Sequence, residues 1–292
     1  MSINEKTVLY QLTETSEFMM SFVIITKEDN AIVIDGGRPL DMPLLKKYVG
    51  GRHISAWILT HAHIDHISGF IDEFDKNQAA DFDIGAVYYN FPPLNHTEDP
   101  SAPWYEGFFI DMKDEQLPGF YKVLPLFEDK AHIVNKGDII EVDECKIEIL
   151  YTWHPFLKSN LLNDSSLVFK VITPNKSVLF LGDLGPDGGD VLFYESHKNL
   201  KADIVQMAHH GHGCVSMEVY AEIMPEACMW CCADWLYNED EDLGCFDGLD
   251  SEELYKIRQI RMRGTKLTRK WMDILGVKTH YVTKDGTNRI EL

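Results

Sequence analysis

Short apolar runs separated by polar turns make up most of the chain, in a pattern that predicts β-strands. The clearest of these runs are SFVIIT, AIVIDGG, ISAWILT, IEILYTW, SSLVFKVIT, KSVLFLGD and ADIVQMA. The first two flank the polar segment KEDN, and THYVTKDGTNRIEL surrounds an Asp-Gly pair, so each segment predicts a β-hairpin. Stretches of helical spacing, such as PLLKKYV before Gly50, lie between the runs. The pattern favours one domain over residues 1–292, with two sheets and helices outside them.

This regular pattern breaks down from Phe91 to about Asp129. The segment begins with the proline-rich stretch FPPLNHTEDPSAPW and continues with irregularly spaced aromatic residues. A loop of this length within a compact domain is usually functional. We therefore expect an irregular insertion at about 91–129 that forms a lid or a pocket wall.

Five of the apolar runs end in aspartate or histidine, residue types that can bind metals. The residues at these ends are Asp35, His61, His154, Asp183 and the pair His209–His210. The end of a strand in a rigid sheet presents a side chain at little entropic cost. The sequence therefore predicts that these side chains contribute to one site.

The densest cluster is in ILTHAHIDHISG, where His61, His63, Asp65 and His66 fall within six residues. If the strand alternation continues, His61 and His63 point to the same side and can bind one ion. A tight turn would then bring Asp65 and His66 to a neighbouring point. Imidazole and carboxylate ligands suit Zn²⁺, Mn²⁺ or Fe. A polar loop is the alternative, but the matching strand ends at Asp183 and the His209–His210 pair favour a site for two metals.

Three of the other residues have structural alternatives. Asp183 could be a helix N-cap as well as a ligand. His154 could be a metal ligand, a substrate contact or simply the end of a strand. Asp35 could orient a ligand histidine through a hydrogen bond, or it could belong to a turn before Gly36.

Composition and charge restrict the partners. Lys and Arg number 27 against 47 Asp and Glu, a net charge of −20, which disfavours nucleic acid and anionic membranes. The start MSINEKTVLY lacks an export signal, and the apolar stretch FMMSFVII is too short to span a bilayer. Six cysteines in such a chain indicate reduced thiols and a cytoplasmic location. We expect a small-molecule substrate and no membrane association.

These motifs together resemble the metallo-β-lactamase superfamily. Its His-X-His-X-Asp-His motif is present at 61–66, IVIDGG matches its upstream strand, and Gly182–Asp183 matches its Gly-Asp pair. NDSSLVFKV, LFLGDL and KADIVQMAHHG are similar to the hydrolase domains of competence-type DNA-uptake proteins and of phosphorylcholine esterases. The His-Thr-Pro-Gly-His segment of many β-lactamases is absent, and TWHP occupies that region.

The resemblance implies an α/β fold, a four-layer αββα sandwich with a dinuclear metal site at one sheet edge. It assigns His61 and His63 to one metal, Asp65, His66 and His210 to the other, and Asp183 to a bridge between them. Two divalent ions are expected, zinc first and manganese or iron as alternatives. The resemblance leaves His209 to contact the substrate or donate a proton, with Asp65 orienting the attacking hydroxide.

The function that the resemblance implies is metal-dependent hydrolysis. A hydroxide activated by the two metals would attack a phosphodiester or another small ester. Hydrolysis of a lactam, a lactone or a thioester is the alternative, against which the absent His-Thr-Pro-Gly-His segment argues mildly. A non-catalytic metal-binding regulatory or scaffold protein is the alternative from another class, and turnover after metal reconstitution would distinguish it.

Overall fold

Two mixed β-sheets pack face to face in the computed structural model, which describes residues 5–15, 19–77, 81–96, 116–158, 160–238 and 264–292. The strands are β1 (Val8–Gln11), β2 (Phe22–Ile25), β3 (Ala31–Ile34), β4 (His53–Ile58), β5 (Asp83–Ile84), β6 (Val87–Tyr89), β7 (Ala131–Ile133), β8 (Ile139–Val142), β9 (Cys145–Tyr151), β10 (Val168–Ile172), β11 (Ser177–Phe180), β12 (Ile204–Gln206), β13 (Ala227–Trp230), β14 (Thr279–Val282) and β15 (Asn288–Glu291). The first sheet has the order β15-β1-β2-β3-β4-β6-β7, with β5 beside β4. The second has the order β14-β13-β12-β11-β10-β9-β8.

Helices cover the outer faces of both sheets. They are α1 (Met42–Val49), α2 (Ile64–Asn77), α3 (Gln116–Val123), α4 (Leu161–Asp164), α5 (Pro186–Ser196), α6 (Met217–Ile223), α7 (Asp234–Tyr237) and α8 (Lys266–Leu275). None of the helices that the structure describes has both the length and the apolar composition needed to cross a bilayer.

The apolar residues form three layers of core, one between the sheets and one beneath the helices on each side. Strand β2 shows why its sequence is apolar throughout. Phe22 and Ile24 face the second sheet, whereas Val23 and Ile25 face the helices. Both faces of the strand are therefore buried, as in sheets covered on both sides. This arrangement confirms the predicted αββα sandwich.

The strand directions bring the predicted site residues to one edge of the sandwich. In the first sheet β3 and β4 are parallel, and in the second sheet β11 and β12 are parallel. The segments that follow these four strands carry Asp35, the 61–66 motif, Asp183 and the His209–His210 pair. The predicted hairpin between β2 and β3 is also confirmed, because these strands pair antiparallel.

Two local predictions are wrong. The turn expected after His63 is instead the start of α2, so Asp65 and His66 lie in the first helical turn. Ile67 and Phe70 continue this helix with an apolar face that packs beneath the first sheet. The C-terminal hairpin is also absent, since β14 pairs with β13 in the second sheet and β15 pairs with β1 in the first.

The predicted insertion at about 91–129 is described only in part, because residues 97–115 lie outside the described residues. Its last part forms α3 and the 3-10 segment Leu124–Lys130. Phe120 and Phe127 are buried there against Phe70 of α2. This part of the segment belongs to the helical layer, and a lid or pocket wall stays a prediction.

Candidate metal centre

Four side chains from both sheets converge at the shared edge. Asp65, His66, Asp183 and His210 each offer one ligand atom, and these atoms lie within 4.8 Å of one another. Nε2 of His210 is 2.9 Å from Oδ2 of Asp65 and 3.2 Å from Oδ2 of Asp183. Nε2 of His66 is 3.2 Å from the other oxygen of Asp183, Oδ1. All four residues are buried, so the cluster resembles a ligand set rather than a surface group of charges.

A second cluster shares Asp183 with the first. It consists of His61, His63 and Asp183, again with ligand atoms within 4.8 Å. Nε2 of His61 is 2.9 Å from Nδ1 of His63 and 3.9 Å from Oδ2 of Asp183. Asp183 therefore belongs to both clusters, the position expected for a carboxylate that bridges two ions.

The turn after β11 fixes Asp183. Gly182 has a φ of 56°, and a Cβ there would lie 2.9 Å from Cβ of Ser166, so glycine is required. The backbone N–H of Gly182 donates to Oε1 of Gln206 at 2.8 Å. The backbone N–H of Asp183 donates to Oγ of Ser166 at 3.0 Å. These contacts hold the aspartate backbone at the end of a buried strand.

The loop after β12 places the paired histidines. His209 and His210 have φ values of 48° and 56°, a left-handed conformation that is uncommon for histidine. The backbone N–H of His209 donates to the carbonyl of Gly182 at 3.0 Å, which joins this loop to the turn that carries Asp183. Gly211 follows with a φ of 94° and packs against Trp230. The loop thus turns His210 into the cluster and leaves His209 beside it.

Asp35 and Thr60 orient two of the cluster histidines. Nδ1 of His66 donates to Oδ2 of Asp35 at 2.7 Å. The Thr60 hydroxyl donates to the same oxygen at 2.7 Å, so its own oxygen can accept from Nδ1 of His61 at 3.2 Å. Each ring therefore carries a hydrogen on Nδ1 and turns Nε2 towards the cluster, as metal-binding histidines usually do.

His210 is oriented by the backbone. Its Nδ1 lies 2.7 Å from the carbonyl oxygen of Cys231, which can only accept a hydrogen bond. Nδ1 must therefore carry the hydrogen, and Nε2 is the nitrogen that faces Asp65 and Asp183. The structure gives His210 the orientation of a ligand.

The buried charges interact strongly. Burial opposes a charge on His66, but the carboxylates of Asp183, Asp35 and Asp65 outweigh it and raise the pKa of His66 to about 9. Burial would raise the pKa of Asp183, but His210 and His66 hold it well below its ordinary value. Asp183 thus stays ionised despite its burial, and an ionised, buried carboxylate attracts cations.

Other observations show that the residues fit metal ions. Oδ2 of Asp65, Oδ1 of Asp183 and Nε2 of His66 are buried, and in the described part of the chain they lack a hydrogen bond of regular geometry. Buried polar atoms normally have a partner. Burial, followed by the neighbouring His66 and His63, lowers the pKa of His61 well below its ordinary value, which keeps this ring neutral as a ligand must be.

Besides Asp35, two predicted site residues lie outside both clusters. Nε2 of His209 is 3.8 Å from Oδ2 of Asp183, and 28% of the His209 side chain is exposed. Nε2 of His154 is 3.9 Å from Oε2 of Glu195. His209 therefore lies at the rim of the centre, whereas the ionic neighbour of His154 is a residue of α5.

Sequence reasoning named Asp35 but missed four other residues that orient the clusters. They are Thr60, Ser166, Gln206 and Cys231. Thr60 directly precedes His61, so its hydroxyl could have been predicted as a hydrogen-bond partner of that ring. Cys231 acts through its carbonyl oxygen, which has no sequence signal.

Comparison with known proteins agrees with this geometry. A family model described as the metallo-beta-lactamase superfamily matches residues 18–212, which include every residue of both clusters. ComE operon protein 3 of Bacillus subtilis (strain 168) is 26% identical over 181 residues, which make up 61% of this chain and 20% of that protein. The matched region therefore spans about a fifth of that relative's length.

Solved structures share the fold. The metallo-beta-lactamase fold protein YhfI from Bacillus subtilis is similar with a TM-score of 0.53 and 12% identity, over 98% of this chain and 100% of that one. CmlA, a diiron beta-hydroxylase from Streptomyces venezuelae, is similar with a TM-score of 0.52 and 12% identity, over 99% of this chain and 55% of that one. At these identities the likeness concerns the fold alone.

Proposed function

The chain belongs to the metallo-beta-lactamase superfamily, and we propose that it is a metal-dependent hydrolase acting on a phosphodiester or another small ester. Members of the superfamily are predominantly hydrolytic metalloenzymes. The observation that carries the proposal is the membership of Asp183 in two ligand clusters. A shared carboxylate of this kind could hold two ions close together, as in the two-metal sites of hydrolytic enzymes.

In this proposal His61 and His63 would hold one ion, and Asp65, His66 and His210 would hold the other. Asp183 would serve both ions. Two divalent ions in these positions would lower the pKa of a water between them and offset negative charge on the substrate. Within the described residues three protein groups are available to the first ion, which would leave a coordination position for the substrate, as catalytic sites usually do. Zinc is the expected metal, with manganese or iron as alternatives.

The protein's own residues position the reactants. Asp65 orients the attacking water, since its carboxylate lies in the buried cluster. Asp35 fixes the ring of His66 through the hydrogen bond to Nδ1. His209, at the partly exposed rim, contacts the leaving group of the substrate and donates to its oxygen. As water adds to phosphorus, the bond to the leaving oxygen breaks, and one proton of the water passes to that oxygen.

The charge at the centre favours an anionic substrate. Two divalent ions would carry four positive charges, and the carboxylates of Asp35, Asp65 and Asp183 carry three negative ones. With neutral imidazoles and a neutral water the centre would carry a single positive charge, which would attract a phosphodiester more strongly than a neutral lactam. The net charge of −20 repels nucleic acid, so we propose a small molecule rather than a polynucleotide.

We also propose a reducing, cytoplasmic location for the protein. The five cysteines in the described residues are all free and buried. Free thiols are typical of reducing compartments.

Metal analysis combined with a substrate screen tests the proposed function. The purified protein is stripped of metal, reloaded with zinc, manganese or iron, and assayed on chromogenic phosphodiesters, phosphorylcholine esters, lactams and thioesters. Metal-dependent turnover of a phosphodiester that is lost in Asp183→Ala supports the proposal. Turnover of lactams or thioesters alone would reassign the substrate, and bound metal without any turnover would indicate a regulatory or scaffold protein.

A further inference from the structure

The Nδ1 partners of the histidines at the centre fall into two chemical kinds. His61, His66 and His210 have the Thr60 hydroxyl oxygen, the Asp35 carboxylate and the Cys231 carbonyl as partners. Each of these partners accepts a hydrogen from Nδ1, which leaves the Nε2 lone pair for a metal. Nδ1 of His63 lies 2.9 Å from Nε2 of His61, which is also an acceptor when His61 carries its hydrogen on Nδ1. His209 has a partner of a different kind.

Nδ1 of His209 lies 3.1 Å from Sγ of Cys214. A thiol can donate a hydrogen bond, which neither an ionised carboxylate nor a carbonyl can do. Cys214 is buried, and its burial raises the thiol pKa well above the ordinary value, with Asp183 adding to the effect. The sulfur therefore keeps its hydrogen and can direct it to the imidazole nitrogen, which is a better acceptor than sulfur.

The His209 ring is constrained on other sides as well. Its backbone N–H is bound to the carbonyl of Gly182 at 3.0 Å. The ring of His212 contacts it edge-on, with centroids 5.0 Å apart. His212 is itself fixed, because its Nδ1 accepts the backbone N–H of Gly264 at 2.7 Å. The contact with Cys214 thus belongs to a defined ring orientation, in which Nε2 faces Asp183.

We propose that the Cys214 thiol donates to Nδ1 of His209, keeps the ring hydrogen on Nε2, and so makes His209 a hydrogen-bond donor rather than a metal ligand. Cys214 is then a positioning residue for His209. The proposal explains how adjacent histidines take opposite roles, since His210 presents a lone pair and His209 presents an N–H. The proposal deepens the proposed function by naming the residue that sets the hydrogen position of His209. Its kinetic consequence rests on that proposed function.

Variants at Cys214 separate donor chemistry from packing. Cys214→Ser keeps a donor of similar size, Cys214→Ala removes the partner, and Cys214→Asp supplies an acceptor that would draw the hydrogen to Nδ1. Cys145→Ala is the matched control, because Cys145 is another buried free cysteine and lies at the start of β9, away from the metal centre.

Nitrogen-15 NMR of histidine-labelled, zinc-loaded protein reads the tautomer directly, with His209→Gln to assign the signals. We expect an unprotonated Nδ1 and a protonated Nε2 in the wild type and in Cys214→Ser, and the reverse pattern in Cys214→Asp. A protonated Nδ1 in the neutral wild-type ring, or a direct zinc bond to His209, would overturn the proposal. This result does not depend on turnover, so it stands even if the proposed hydrolysis is wrong.

The kinetic arm compares methyl phenyl phosphate with methyl p-nitrophenyl phosphate, which differ only in the leaving group. We expect Cys214→Ala to lower kcat on the phenyl ester by about tenfold, because an aligned donor to the leaving oxygen is lost. The p-nitrophenolate leaving group needs less stabilisation by a hydrogen-bond donor, so kcat on the nitrophenyl ester should fall less. KM and the zinc content should match those of Cys145→Ala. Equal losses on both esters, or a loss of zinc, would show that Cys214 acts only through the structure.

Discussion

Nδ1 of His66 and Oδ2 of Asp35 lie 2.7 Å apart in a fully buried contact that joins residues 31 positions apart in the chain. Asp35 adopts a left-handed φ of 53° to reach this position, directly after β3. Its other carboxylate oxygen accepts the backbone N–H of Thr60 at 2.8 Å. One side chain therefore fixes both a ligand ring and the chain that leads into the 61–66 motif.

Asp35→Asn should weaken metal binding without unfolding the protein. The amide cannot offer acceptors to Thr60 and His66 at once, so the His66 ring loses its fixed orientation. We expect zinc affinity to fall by about 10- to 100-fold, measured by competition with a chromogenic chelator. Asp143→Asn is the matched control, since Asp143 has a φ of 51° and also accepts from a threonine hydroxyl, on Thr26. An equal loss of zinc affinity in Asp35→Asn and Asp143→Asn would contradict a specific role for Asp35.

Removing the shared carboxylate should have the largest effect on the metal content. We expect Asp183→Ala and His61→Ala to abolish hydrolysis and lower the bound metal per chain, because each removes a member of a buried ligand cluster. Mass spectrometry of the purified variants gives the metal ratio, and circular dichroism checks the fold. His132→Ala, which changes an exposed histidine of β7, should leave both values unchanged. Unaltered metal content in both cluster variants would refute the ligand assignment.

Gly211→Ala should displace the loop that carries the paired histidines. The new Cβ would lie 2.6 Å from Cε3 of Trp230, and the φ of 94° is strained for alanine. We expect a loss of about 1–3 kcal/mol in the free energy of unfolding, together with weaker metal binding. Gly276→Ala provides the control, because Gly276 has a φ of 79° but open space around its Cβ position. Metal binding as strong as in Gly276→Ala would show that the loop tolerates the clash.

Metal removal should lower the melting temperature of the wild type. The buried carboxylates of Asp65 and Asp183 lose the cations that offset their repulsion, and binding to the folded state alone adds stability. At a free metal concentration of 100 times Kd the added free energy is about 2.7 kcal/mol. Calorimetry with and without chelator measures the shift, and Asp183→Ala should respond less. An equal response in both proteins would mean that the stabilising metal lies elsewhere.

Much of the architecture could be predicted because the strands are apolar on both faces. A run such as AIVI in β3 stands out in the sequence when it packs against another sheet and against helices at once. The strand pairing of the C-terminal segment could not be predicted in this way. Its Asp-Gly turn suits a hairpin, but Ile290 packs between the sheets and Val282 packs beneath the helices, so the two strands join different sheets.

The centre itself was only partly predictable. Histidines and aspartates at strand ends are visible in a sequence, and the structure brings six of them together. The start of α2 at Ile64 could not be predicted, because Asp65 and His66 in its first turn also suit a polar loop. The contact of His209 with Cys214 depends on a left-handed loop, and the partner of His210 is a carbonyl, so neither has a local pattern to recognise.

The proposed ligands are divided between the two sheets, and this has a consequence for the evolution of such a protein. The loop and helix after β4 supply His61, His63, Asp65 and His66, whereas the second sheet supplies Asp183 and His210. Neither half contains a complete set of ligands for two ions. If recombination replaces one half with that of a distant homologue, the packing between the two sheets must keep the two groups of residues at their present distances. Otherwise the descendant has the fold but no complete metal centre.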